Sequence, residues 1–361
     1  MNHSIGNATD HAACDTQDLA VELAQWQPAA GNDGGFFGTA CFHAWCSAFL
    51  PQENWQQEAH LLSVRRQNQP LCQAVFGVQR FPGFSALSLG GYYWPYRSLA
   101  QTGSSLQLAT AIAARLKAQH WPVIRFGPVR AGDPLIEAVL DRLRAQGWAC
   151  LEKPLGTSWL VAVPENAAAF EAQWGKHLTD RVAYYTRRLN KSAPVHIVCA
   201  PPATTAEWQR RCDDCATIEA NSWVAKSGGD TKFVGERNRQ FWRSLLDASG
   251  QPPFQLCLLY VGERPVAFSL NLDLGDTRHI VANTYDEEFK SNSPGTILTA
   301  HVLKDTLQHG IRHVDWGAGD SGYKQRWGAT EGVQLLDRLA IRPGLRGMAL
   351  RYLLRKRGGY G

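Results

Sequence analysis

Two stretches of the chain alternate apolar and polar residues in the same way. "HLLSVRRQNQPLCQAVFGVQRFPGFSALSLGG" (His60–Gly91) and "FQLCLLYVGERPVAFSLNLDLGDTRHIVANTY" (Phe254–Tyr285) each run strand, polar turn, proline (Pro70, Pro265), strand, turn, strand. Period-two alternation interrupted by turn-forming residues predicts an antiparallel meander in each. Each meander is followed by helical spacing and then a further strand, in "SSLQLATAIAARLKAQHWPVIRFGPV" and "PGTILTAHVLKDTLQHGIRHVDWGAG". Ile124, Phe126 and Gly127 fall opposite Val314, Trp316 and Gly317 at a fixed offset of 190 residues (317 minus 127), and the same offset sets Ser105 against Gly295. One unit, strand-strand-strand-helix-strand, is used twice.

Between the repeats, "DPLIEAVLDRLRAQGW" predicts a helix ended by Gly147, and Thr157–Pro164 a strand. Asn166–Ser192 reads as one or two basic helices, "VHIVCA" as a strand, and Ala206–Ala220 and Gly235–Ser249 as helices. With no low-complexity linker between them, the halves are expected to pack closely. The expected fold class is α/β (α+β), as two tandem domains over residues 1–155 and 156–361, each a mixed, mostly antiparallel sheet flanked by helices.

Composition narrows this little. Over 361 residues, 44% hydrophobic and 19% charged content describe a globular chain rather than a disordered one. A net charge of +5 suits an acidic small molecule or a phosphate-bearing donor and is too mild to argue for nucleic acid. No apolar run approaches the ~20 residues of a membrane span. The first twenty residues lack the basic start and apolar core of a secretory leader. Nine scattered cysteines predict reduced thiols and a cytoplasmic setting. Cys212 and Cys215 have the spacing of a redox or zinc pair, but no second pair follows. The eleven histidines show no ligand spacing, so no metal is expected.

"SNSPGTIL" concentrates the candidate chemistry. Ser293 is expected to cap a helix whose first position is Pro294. The N–H groups of Gly295, Thr296 and Ile297 would then point outward with the positive end of the helix dipole, and the glycine would let a phosphate approach the backbone. The first repeat has "GSS" there, so a phosphorylated donor is expected in the second half alone.

At this point the residues resemble a family. A pyrophosphate-binding turn after the fourth strand looks like the GNAT acyltransferase fold. "EANSWVAKSGGDTKF", "GERPVAFSLNL", "NTYDEEFKSNSPGTIL" and "HVDWGAGDSGYKQRWG" resemble acetyltransferases associated with bacterial cellulose and exopolysaccharide synthesis (CelD/BcsL type). The duplicated architecture is similar to the Fem peptidoglycan aminoacyltransferases. The resemblance spans roughly Gly38 to Arg342 and is strongest over Tyr285–Trp327. The turn here is poorer in glycine and basic residues than the usual one. The resemblance implies tandem GNAT-like domains, acetyl-CoA or another acyl-CoA as co-substrate, and an amine- or hydroxyl-bearing acceptor.

Acyl transfer from a thioester needs a base for the acceptor and an acid for the departing thiolate. Asp320 could be the base, or make a turn with its glycine neighbours; Asp286 is the rival base, or an Asx turn. Tyr323 could protonate the thiolate, a role the resemblance also suggests. Lys324 could hold a negative group. Trp223 and Lys226 could wall the acceptor site, or the indole could cover the core edge. Tyr285 and Trp327 join them as acceptor-binding candidates within the motifs that carry the resemblance. No Gly-x-Ser-x-Gly elbow supports a covalent serine route, so direct attack in a ternary complex is expected.

Arg181, Arg187, Arg188 and Lys191 with Tyr184 and Tyr185, and the basic "LRGMALRYLLRKRGGYG", read as solvated helix faces. The alternatives are contact with an anionic acceptor, or peripheral attachment at the inner membrane. The leading function is an acyl-CoA-dependent N- or O-acyltransferase acting on a polysaccharide precursor or related metabolite. Its rivals are a Fem-like ligase using aminoacyl-tRNA and a non-catalytic GNAT-like subunit of a synthesis or export complex.

Overall fold

Both meanders form as the alternation predicts. A computed structural model describes residues 19–25, 39–50, 55–91, 96–101, 105–249, 254–319 and 322–361. The first half runs β1 (Leu19–Gln25), α1 (Thr39–Phe49), then the meander β2 (Trp55–Arg66), β3 (Gln69–Phe81) and β4 (Phe84–Leu89). After β5 (Ala100–Gln101) come α2 (Ser105–Ala118), β6 (Val123–Arg130), α3 (Pro134–Ala145) and β7 (Ala149–Ala162). Gln67 and Asn68 both have positive φ, the two-residue turn whose twist suits a hairpin between β2 and β3.

The basic stretch is two helices, α4 (Ala167–Trp174) and α5 (Lys176–Asn190), broken at Gly175, whose φ of 78° a helix cannot carry. β8 (Val195–Val198), α6 (Thr205–Ala220), α7 (Trp223–Lys226) and α8 (Glu236–Ser249) lead to the second meander. That meander is β9 (Phe254–Val261), β10 (Arg264–Leu274) and β11 (Thr277–Tyr285). It is followed by α9 (Pro294–Asp305), β12 (His313–Ala318), β13 (Thr330–Ile341) and α10 (Leu345–Arg357).

The strands join in one mixed, mostly antiparallel sheet of order β1-β2-β3-β4-β6-β13-β7-β12-β11-β10-β9-β8. Only β4 with β6 and β11 with β12 run parallel. The repeat shows in the register: Leu87 faces Ile124 in one parallel pair, and Arg278 faces Val314 in the other. The strands that follow these pairs change places. β7, after β6, lies beside β12, while β13, after β12, lies beside β6, and the two pair with each other from Thr330↔Leu160 to Ile341↔Ala149. Position 155/156, where a domain boundary was expected, falls inside β7.

Three cores hold the layers. On one face of the first half, Leu108, Ile112, Leu116, Val139 and Leu143 of α2 and α3 pack on Phe76, Leu87, Ile124 and Phe126. In the second half, Ile297, Leu298, Val302 and Leu303 of α9 join Val266, Ile280, Val314 and Trp316. The other face of that half buries α6 and α8 with α1 from the first half, through Trp45, Trp208, Trp242 and Phe268. Burial of apolar side chains, at about 25 cal/mol per Å², thus ties the halves together as the sheet does.

One expectation about thiols is corrected. Cys199 and Cys257, directly across from each other next to the β8–β9 pairing, form a disulfide. Cys212 and Cys215 are buried on α6, and burial pushes the Cys212 thiol up to about 12 and Cys215 well above its ordinary value. Neither is a reactive thiolate, in line with two ordinary core cysteines.

Candidate active site

β11 and β12 pair only through Thr277–His279 with His313–Asp315, and beyond that they separate. Where parallel strands diverge, their side-facing groups and carbonyls lose ladder partners, and a cleft forms. A cavity of about 450 Å³ lies there. Its floor is Phe268 and Ser269 of β10 with Asn283, Thr284 and Tyr285 of β11. One wall is the first turn of α9, with Ser293, Gly295, Thr296, Leu298 and Thr299. Arg181 of α5, Trp223 of α7, Tyr323 and Arg326 complete it.

Six of the sequence candidates, Trp223, Tyr285, Ser293, Gly295, Thr296 and Tyr323, therefore come together. Tyr323 shares a 2.7 Å hydrogen bond with Thr299 Oγ1. Burial raises the Tyr323 phenol above its ordinary value, more than its hydrogen bonds with Thr299 and Trp327 lower it. The phenol accordingly keeps its proton at neutral pH. Trp223 is 56% exposed, so its indole stands at the rim. Thr284 is 7% exposed, and its Oγ1 finds no hydrogen-bond partner among the described residues, although it lines the cavity. A buried hydroxyl left without a partner costs about 1–3 kcal/mol unless something fills the role.

The helix start works differently from the expectation. Ser293 has φ 47° and ψ 51°, a left-handed conformation, and its side chain caps nothing. Its carbonyl instead accepts the N–H groups of Thr296 (3.0 Å) and Ile297 (3.4 Å). Proline has no N–H, so Gly295 is left as the donor of this turn that faces outward. The room that Gly295 makes is taken by protein: a Cβ there would lie 3.2 Å from Cδ1 of Tyr285. The glycine lets one edge of the Tyr285 ring come close to the helix start. The Ile297 side chain points into the core and not at the cavity.

Other candidates are occupied elsewhere. Asp286 is almost fully buried; its Oδ1 accepts the Glu288 N–H and its Oδ2 an Arg264 N–H at 2.7 Å. That is the turn alternative, reinforced by an ion pair, with one hydrogen bond already accepted by each carboxylate oxygen. Lys226 pairs with Glu287 on the surface at 2.6 Å. Lys324 donates to the carbonyls of Trp316, Gly317 and Ala318, closing the loose end of β12. Trp327 is buried against Trp174 and Tyr323. Asp320 lies outside the described residues. Among those residues, no group of three His, Cys, Asp or Glu side chains could hold a metal ion.

Two cations also reach the cavity: Arg326, which the sequence reading did not single out, and Arg181, which it read first as part of a solvated helix face. Arg181 sits on the face of α5 that meets the cavity, with its guanidinium 5.6 Å from the centroid of the Tyr185 ring and 3.4 Å from that phenol oxygen. The hydrogen bond from Arg181 is the largest cause holding the Tyr185 phenol below its ordinary value. Arg326 has no carboxylate partner among the described residues, and it reaches the same cavity. Two guanidinium groups, a backbone N–H and the positive helix end make a site suited to phosphate oxygens. Helical periodicity could place Arg181 on a polar face, but not show that another element closes over that face.

The comparisons agree with this geometry. Residues 176–325 match the acetyltransferase (GNAT) domain family, a stretch that contains every residue of the cavity except Arg326. No curated protein matches the chain. Among solved structures, FemX is 12% identical, with a TM-score of 0.58 over 86% of this chain and 93% of its own. A conserved protein of unknown function from Bacteroides thetaiotaomicron is 11% identical, with a TM-score of 0.50 over 84% and 92%. At those identities the likeness speaks for the fold, which is GNAT-like.

Proposed function

We propose that the GNAT domain makes this chain an acyl-CoA-dependent acyltransferase, acting on an amine or hydroxyl by direct transfer. The observation that carries the reading is one cavity, all but Arg326 of it within the matched stretch, that is lined by a protonated tyrosine, two arginines and a helix start. Arg181 and Arg326 would hold the phosphates of the donor. The acceptor nitrogen or oxygen would attack the thioester carbonyl and lose its proton to a base. As the carbon–sulfur bond breaks, Tyr323 would give its proton to the thiolate, with Thr299 orienting the phenol. For the base, Asp286 is already engaged, and Asp320 is retained on its place in "GAGDSGYKQRW".

The exposed Trp223 indole and the polar floor of Ser269, Asn283 and Thr284 suit a hydroxyl-rich acceptor, because an indole face covers the apolar side of a sugar ring. This supports an acceptor that is a polysaccharide precursor or a related sugar-linked metabolite. A second reading, a Fem-like transfer from aminoacyl-tRNA, is favoured by Arg187 and Arg188 continuing the basic row of Arg181 along α5.

Isothermal titration with acetyl-CoA, longer acyl-CoAs, free CoA and a charged tRNA separates the two. Acyl-CoA binding is expected and should weaken about tenfold or more in Arg181→Ala and Arg326→Ala, each a lost phosphate contact. No binding at about 1 mM, the top of the usual KM range, together with binding of the charged tRNA, would transfer the reading to the second.

A further inference from the structure

Helix α10 carries its hydrophobic residues on both sides. Leu350 and Leu354, one turn apart, pack inward on the small core formed by Leu151, Leu339 and Ile341. Leu345, Met348 and Tyr352, spaced three and four apart, form a second stripe that faces water, 81%, 60% and 62% exposed. A soluble helix normally buries its one apolar stripe and gives the other side to polar residues. Beside α10 an apolar groove of about 860 Å³ continues this surface, lined by Pro82, Phe84, Pro122, Pro343 and the half-exposed Leu353.

The charge on the same element is one-sided. Residues 342–361 contain six arginines and lysines and no aspartate or glutamate, in a chain whose total net charge is +5. Arg351 and Arg355 lie on the turns beside Met348 and Tyr352, and Lys356 follows Tyr352 by one turn, its Nζ 3.3 Å from the phenol oxygen. A phenol and long basic stems around an apolar stripe form a surface whose apolar part needs hydrocarbon and whose rim needs anions. Among the described residues no helix is long and apolar enough to cross a membrane, so such a helix lies in the plane of a surface.

We infer that α10 docks the protein on an anionic lipid bilayer, with Leu345, Met348 and Tyr352 entering the headgroup boundary and Arg351, Arg355 and Lys356 meeting lipid phosphates. The inference is independent of the acyl-transfer reading, since none of these residues lines the cavity. Co-sedimentation with vesicles of phosphatidylcholine, with and without phosphatidylglycerol, tests it on the full chain. Binding to the phosphatidylglycerol vesicles alone is expected. Met348→Asp with Tyr352→Asp should weaken it about tenfold or more, and so should Arg351→Gln with Arg355→Gln. All four positions sit on an exposed face, and unchanged circular dichroism and acyl-CoA affinity would show that the fold is kept. Three results would overturn the inference: no sedimentation with either vesicle, equal sedimentation with both, or binding lost in high salt but indifferent to the two aspartates. The last would mark a purely electrostatic surface for some other polyanion.

Discussion

The two halves build the same junction, a meander strand parallel to the strand after the helix, and hold its carbonyls in different ways. In the first half, Arg97 fills the place where β4 and β6 part. Its guanidinium donates to Leu89 O at 2.8 Å and Gly127 O at 2.7 Å, and its N–H to Pro128 O at 2.6 Å. In the second half, Gly317, the counterpart of Gly127, has its carbonyl held by Lys324. That cation comes from the segment after β12 and is not among the residues that line the cavity. Both halves satisfy the same stray carbonyls. Among the described residues the halves differ in where the cation comes from: Arg97 precedes the helix of its repeat, and Lys324 follows the last strand of its own.

The packing under the junction differs too. Leu87 and Arg278 occupy equivalent positions in the two parallel pairs. Leu87 is ordinary core, whereas Arg278, with no exposed side-chain surface, binds Asp273 of β10 and Asp305 of α9. An ion triad with a buried arginine at its centre is weak evidence for stability, since desolvation offsets most of the attraction. It does fix direction, and here it locks the end of α9, whose other end walls the cavity.

These differences can be broken one at a time. The largest effect is expected from Tyr323→Phe, which should lower kcat about 100-fold or more while acetyl-CoA affinity stays within about twofold, a split read by steady-state kinetics beside titration. Arg278→Ala comes next. It strands the Asp305 carboxylate, while Asp273 stays hydrated, and should cost about 3 kcal/mol in denaturant unfolding, within the ~2–5 kcal/mol expected for Leu87→Ala.

The same site carries a pH signature. Burial raises the Asp305 carboxyl, but hydrogen bonds from Arg278 and Gln255 outweigh it, so the net shift is downward. A lowered carboxylate gives stability that is complete above its unfolded value, about 4, and is lost as pH falls below it. Unfolding curves from pH 6 to pH 3 should therefore decline less steeply for Arg278→Ala than for the parent chain. Arg97→Ala should cost about 1–3 kcal/mol for its two stranded carbonyls and leave acetyl-CoA affinity unchanged. A lost affinity there would place ligand in the wrong half. The smallest effect belongs to Gly295→Ala. The helix gains up to about 1 kcal/mol of propensity, and the Tyr285 ring must give way by a few tenths of an ångström. The net change in stability should stay within about 1 kcal/mol.

Much of this was legible in the sequence. The meanders, the helices of the repeat and their common offset follow from alternation and turn residues, which are local. The exchange of β7 and β13 does not, because a strand's own pattern says nothing of which neighbour it joins across half the chain. Tyr323, Trp223 and Tyr285 were found as side chains in the right stretch. Ser293 does stand at the N-cap, with Pro294 in the first turn, but its backbone is left-handed and its side chain makes no cap hydrogen bond, which the sequence does not show. Asp286, Lys226 and Lys324 were charged residues near the site whose partners, Arg264, Glu287 and three carbonyls, no spacing reveals. Arg181 is the converse, a residue on a polar helix face that another part of the chain turns into a site.

The central claim is that the second-half junction alone receives an acyl-CoA. Amide hydrogen exchange with and without acetyl-CoA measures this directly across the whole chain. Slowed exchange is expected over 283–299 and 323–327 and in the first turns of α5, with no change over 86–91 and 105–127. Protection over the Arg97 junction, or none at the start of α9, would contradict it.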